Sequence, residues 1–148
     1  RVPETEHFRN VDRHKVFTDP RLLTIRIDES LTYLNARWLE EFILEQVAEQ
    51  KTVRHVILMC SAVNAIDASA LESIEAINHR LEDSGISLHL SEVKGPVMDR
   101  LKRSHFLEQL SGKVFLSQNA AYSALIAIAD AEEEADKPVD MWNARGLI

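Results

Sequence analysis

The stretch VRHVILMCSAVNAIDASALESI, residues 53–74, changes its hydrophobic period part-way along. From Val53 to Cys60 it is nearly continuous, apolar and rich in branched residues, the pattern of a strand covered on both faces, as in a parallel sheet. Beyond it, Leu71, Ile74, Ile77 and Leu81 fall at helical spacing, and Gly85 is placed to end that helix. A strand that leads through a loop into a helix is half of a βαβ unit. The loop holds an acid, Asp67, and a hydroxyl, Ser69, flanked by alanines.

Upstream, RVPETEHFRNVDRHKVF (1–17) reads as a polar arm leading into a short strand. RLLTIRI (21–27) alternates as a half-buried strand does, and DESLTYLNA (28–36) reads as a turn and a short Leu31–Leu34 strand. ARWLEEFILEQVAEQ (36–50) is an amphipathic helix, with Leu39, Phe42, Ile43 and Val47 opposite a row of glutamates. Trp38, near its start, is expected to anchor it in the core. Downstream come a strand in ISLHLSEV (86–93), one helix across GPVMDRLKRSHFLEQL (95–110) opened by Pro96, and a strand in KVFL (113–116). SQNAAYSALIAIADAEEEA (117–135) is the last helix, with Ser117 as its N-cap. The predicted order is β-β-β-α-β-α-β-α-β-α. Strands alternating with helices of this length imply right-handed crossovers onto a mostly parallel sheet of about five strands in one α/β domain. The acidic tail, 135–148, is expected to be flexible.

Composition removes several function classes. At 148 residues, 45% hydrophobic and 28% charged, the chain has enough apolar material for one soluble globular domain. A net charge of −7 argues against nucleic acid as a partner. A single cysteine, Cys60, excludes an internal disulfide framework and a Cys-paired metal site, and its place at the end of an apolar run predicts a buried, inert thiol. No apolar stretch approaches the ~18 residues of a membrane span, and no signal-peptide pattern is present. Residue 1 is Arg rather than Met, so the chain is expected to be processed or to be a piece of a longer one. No glycine-rich nucleotide loop and no zinc-hydrolase motif appears, so no cofactor and no metal is predicted, and the six histidines read as ordinary surface or strand residues. Arg100, Lys102, Arg103 and His105 make a small basic cluster that reads as a solvated face.

In open α/β sheets the working residues gather beyond the carboxyl ends of the strands, where Asp67 and Ser69 fall. Ser69 with Glu72 has the spacing of a capping box, worth on the order of 1 kcal/mol. The same helix start also suits a small anion, a nucleotide phosphate or a phosphoryl group on Ser69, because free N–H groups and the helix dipole favour negative charge there. Catalysis fits poorly. His79 lies nearly three turns down the helix from Ser69, and IDASA lacks the glycines of a nucleophile elbow.

Three stretches together resemble the STAS domain of bacterial sulfate permease (SulP) transporters. NAIDASALESI (64–74) is similar to the family's Asp-x-Ser-Gly loop, with Asp67 and Ser69 on the motif and Ala70 where glycine is common. HFRNVDRH (7–14) and LLTIRIDESLTYLNARWLEEFI (22–43) resemble the segments that join the last membrane helix to the cytosolic domain. The likeness implies a linker arm over 1–12, the STAS domain over 13–134, helices packed mainly on one side of the sheet, and no enzymatic activity. It also implies the cytosolic regulatory domain of a secondary active sulfate or related anion transporter at the inner face of the plasma membrane. Arg9, Arg13 and Lys15 have the charge expected of a cytosolic membrane boundary. Partners would be the membrane portion of the same transporter, a second copy or a cytosolic protein, met through a loop of Asn64, Asp67, Ala68 and Ser69. In the antagonist branch of the family the serine matching Ser69 is phosphorylated to control binding, which makes a free-standing anti-sigma-factor antagonist the alternative.

Overall fold

The computed structural model describes residues 8–10 and 19–136. Its elements run β1 (Phe8–Asn10), β2 (Leu22–Ile27), α1 (Tyr33–Glu49), β3 (His55–Met59), α2 (Ala68–Asp83), β4 (Ser87–Ser91), α3 (Gly95–Lys102), α4 (Phe106–Gln109), β5 (Val114–Phe115) and α5 (Gln118–Asp136). The strands form one sheet in sequence order, β1-β2-β3-β4-β5. β2 to β5 are parallel, and β1 is an antiparallel edge pairing Phe8 with Ile27 and Asn10 with Ile25. The mostly parallel five-strand sheet expected from the sequence is therefore present, and β1 falls within the stretch expected to be an arm. The side chains of Arg13 and Lys15 and the tail from 137 lie outside the described residues.

Sequential order explains where the helices sit. When each parallel strand pairs with the next through a crossover of one hand, every crossover lands on the same face. Leu23, Ile25 and Ile27 of β2, Val56 and Leu58 of β3, and Leu88 and Leu90 of β4 point to that face and share one core with α1 to α4. The opposite row, Leu22, Thr24, His55, Ile57, His89 and Ser91, is covered by α5, which follows the last strand and crosses back over β2 and β3.

Three local expectations are corrected. No strand forms over Leu31–Leu34. Leu31 makes an isolated parallel bridge to Ile66, and the chain turns at once into α1, because Thr32 and Asn35 form a capping box, with Asn35 also donating to the Ser30 carbonyl. The helix expected over 95–110 is two helices. Leu101 and Phe106 are both buried, yet on one continuous helix they would point about 140° apart. Ser104 makes the break, donating to the Leu101 carbonyl and accepting the Phe106 amide. The strand expected over 113–116 shrinks to Val114–Phe115. Other signals hold as expected. Ser117 accepts the Ala120 amide as an N-cap, Pro96 opens α3, and Gly85, at φ +78°, turns the chain out of α2. Trp38 packs half-buried against the main core.

Candidate functional site

Beyond β3 the chain makes a tight turn, with the Val63 amide bonded to the Cys60 carbonyl, and then runs along the β2–α1 connection. Ser30 ties the two loops together, its hydroxyl accepting the Asn64 and Ala65 amides at 3.2 and 3.1 Å. Leu31 donates to the Ala65 carbonyl and accepts the Asp67 amide. Lys94, at the start of α3, donates to the Asn64 side chain at 2.6 Å. Three successive strand ends thus brace one loop. Sequence reading missed Ser30 and Lys94, since neither lies in a motif and only the sheet order brings them beside Asn64.

The bridge between Leu31 and Ile66 keeps the backbone extended through Asp67 (φ −87°, ψ 171°), so the helix begins one residue later. The N-cap is therefore Asp67, whose carboxylate accepts the Ala70 amide at 2.7 Å. This corrects the capping box expected from Ser69 and Glu72: Ser69 already lies inside the first turn, where its side chain points outward instead of back at the helix start. Among the described residues its hydroxyl has no hydrogen-bond partner; only its carbonyl is used, by Ser73. Asn64, Asp67, Ala68 and Ser69 are all exposed, whereas Val63, Ile66 and Ala70 between them are buried. The structure thus brings the four predicted residues together on a hydrogen-bonded, outward-facing ridge.

Among the described residues no histidine is hydrogen-bonded to Ser69. His79 is exposed lower on α2, and His55 and His89 are buried under α5 on the other face of the sheet. Among the described residues no group of His, Cys, Asp or Glu could hold a metal ion. Cys60 is buried, which pushes its thiol up to about 12 and leaves it inert, as expected. The same end of the sheet carries apolar exposure: Tyr33 (53%), Leu34 (55%) and Leu116 (95%) are the exposed large hydrophobic residues of the described chain, and all follow carboxyl ends of strands. The basic cluster is solvated. Arg100, Lys102 and Arg103 make no ion pair among the described residues and suit the negative end of α3.

The profile that describes the STAS domain matches residues 14–121. The chain belongs to the STAS domain family. Sulfate transporter 1.3 of Arabidopsis thaliana is 29% identical to it over 128 residues, 79% of this chain and 20% of the plant protein. This chain spans about a fifth of the curated sulfate transporters it matches. Among solved structures, the SulP transporter STAS domain from Vibrio cholerae superposes with a TM-score of 0.67 at 17% identity, covering 80% of this chain and 91% of that one. The Bacillus anti-sigma factor antagonist SpoIIAA, in its unphosphorylated form, gives 0.56 at 13% identity, covering 80% and 96%. At these identities both show the STAS fold. Among the described residues no helix is long and apolar enough to cross a membrane.

Proposed function

We propose that this STAS domain is the non-catalytic regulatory and docking module of a secondary active transporter for sulfate or a related inorganic anion, held at the cytoplasmic face of the membrane. The observation that carries the reading is the braced ridge Asn64–Ser69: exposed side chains on a hydrogen-bonded backbone and, among the described residues, a serine hydroxyl with neither a hydrogen-bond partner nor a histidine bonded to it. A surface of this kind is pre-organised for recognition, because ordering it has already been met by the fold. Exposed Tyr33 and Leu34, just after Leu31, add apolar contact area beside it. Likeness to sulfate transporters over most of the chain supports placing the partner in the membrane portion of the same protein.

The test is sulfate uptake by the full-length parent in vesicles, with and without residues 13–148, beside a Ser69→Asp variant. The expected result is lost or misregulated uptake on deletion and altered uptake with Ser69→Asp. Uptake, assembly and regulation unchanged by both would overturn the proposal. Likeness to SpoIIAA favours a second reading, a phosphorylation-switched antagonist. It requires phosphate on Ser69 in cells, which mass spectrometry of the isolated protein detects or excludes.

A further inference from the structure

Under α5, two histidines and a glutamate form a single hydrogen-bonded line. The Lys113 amide donates to His89 Nδ1, His89 Nε2 lies 3.0 Å from His55 Nδ1, and His55 Nε2 lies 3.0 Å from Glu132 Oε1. His55 and His89 are 2% and 3% exposed. The backbone dictates where the protons are. Because His89 Nδ1 accepts an amide, a neutral His89 carries its proton on Nε2 and donates to His55. His55 must then carry its own proton on Nε2 and donate to Glu132. One arrangement fills every bond, and both rings are neutral in it.

No further proton fits that line. Placed on His55, it leaves two N–H groups facing each other between the rings. Shifting protons along the line moves the conflict to His89 Nδ1, which then confronts the Lys113 amide. The first bond is the one to yield, for two reasons. Glu132 is an anion and strengthens its hold on a charged His55. The Lys113 amide lies just before β5, a two-residue edge strand, while Glu132 belongs to α5, the longest helix described. Gly112 packs against the same ring: a Cβ there would collide with His89 Nδ1 and with the Leu88 carbonyl, so the chain passes the imidazole closely.

We propose that His55, His89 and Glu132 form a proton switch that, on acidification, releases the Gly112–Phe115 edge of the sheet while tightening α5 on β3. Among the described residues, Lys113 opposes a proton on His89, Glu132 is hydrogen-bonded to His55, and Arg54 and Asp136 line the recess beside Glu132. Arg21, paired with Asp130 and Glu133, holds the same part of α5 through a separate contact. Burial, with His55 and Lys113 close by, holds His89 down to about 4, in keeping with a neutral resting line. The inference does not depend on the role proposed for Ser69.

Two measurements on the 148-residue chain test it. Imidazole nitrogen NMR near neutral pH is expected to show both rings neutral with the proton on Nε2; an Nδ1–H form or an imidazolium at either residue overturns the proposal. Amide exchange, corrected for its intrinsic pH dependence, is expected to show opening at Lys113 rising on the order of tenfold from ~pH 7 to ~pH 5, with α5 amides near Glu132 no less protected. Equal opening at the two pH values, or release of α5 instead, overturns it. Glu132→Gln keeps an acceptor for His55 but removes the anion, so the opening midpoint is expected to fall by about one pH unit. An unmoved midpoint also overturns it.

Discussion

The two faces of the sheet are held by different physics. On the face covered by α1 to α4, the strands present Leu, Ile and Val to a large continuous core with little polar content. On the face covered by α5, the apolar contact is small, centred on Leu22, Ile57, Ala121, Leu125 and Ala129. Directed bonds hold the rest. Gln118 accepts from Ser91 and donates to Thr24, Glu92 accepts the Gln118 amide, and His55 and Arg21 grip Glu132, Asp130 and Glu133. Apolar burial is non-directional and indifferent to protons, whereas a hydrogen-bonded line depends on geometry and on protonation state. One sheet thus carries a face that sets stability and a face that can respond to pH.

The largest contrast is expected from truncating each core. Leu58→Ala, on the four-helix face, should destabilise by about 3–4 kcal/mol in urea unfolding, because the surrounding core cannot collapse around the void. Leu125→Ala, on α5, should cost about 2 kcal/mol, since the cluster it joins is small and its alanine neighbours make few contacts to lose. Equal losses would erase the distinction between the faces.

Acid should act on the α5 face next. His89 is held down to about 4 from an ordinary 6.5, so the unfolded chain takes up its proton first as pH falls. The stability this residue confers is complete above pH 6.5 and is lost as pH drops toward 4. The linkage gives a loss of about 2 kcal/mol between pH 7 and pH 5. Thermal unfolding across that range checks the sign, and a His89→Gln variant should flatten the curve.

At the carboxyl edge, where both faces end, the effects on stability are smaller. Asp67→Ala removes the cap of α2 and should cost about 1 kcal/mol. Ser69→Ala breaks no side-chain bond and should leave stability within about 0.5 kcal/mol, measured in the same urea series. A change at Ser69 in uptake or partner binding with stability intact would place its role on the surface, apart from both cores.

How much of this was legible beforehand can be followed residue by residue. Continuous apolar character from Val53 to Cys60 and the helical stripe of Leu71, Ile74, Ile77 and Leu81 foretold a parallel βαβ unit, since periodicity reflects which side chains face the core. The Asp67–Ser69 loop was likewise visible as a pattern, and so was its exposure at a strand's carboxyl end. Its internal wiring was not. Spacing matched Ser69 to a cap, but the bridge from Leu31, a residue 35 positions before Ile66, assigned that place to Asp67 and left Ser69 free.

Sequence alone thus determined the class of fold, the direction of its strands and the loop placed at the carboxyl end of β3, because local propensity and hydrophobic period act over a few neighbouring residues. Only the tertiary structure decided which polar side chains have partners. His55 and His89 look alike in sequence, each a lone histidine among apolar neighbours, and only the pairing of β3 with β4 and the return of α5 join them to each other and to Glu132. Hydrogen bonds between residues 34 and 77 positions apart are set by chain topology, and no local pattern encodes them.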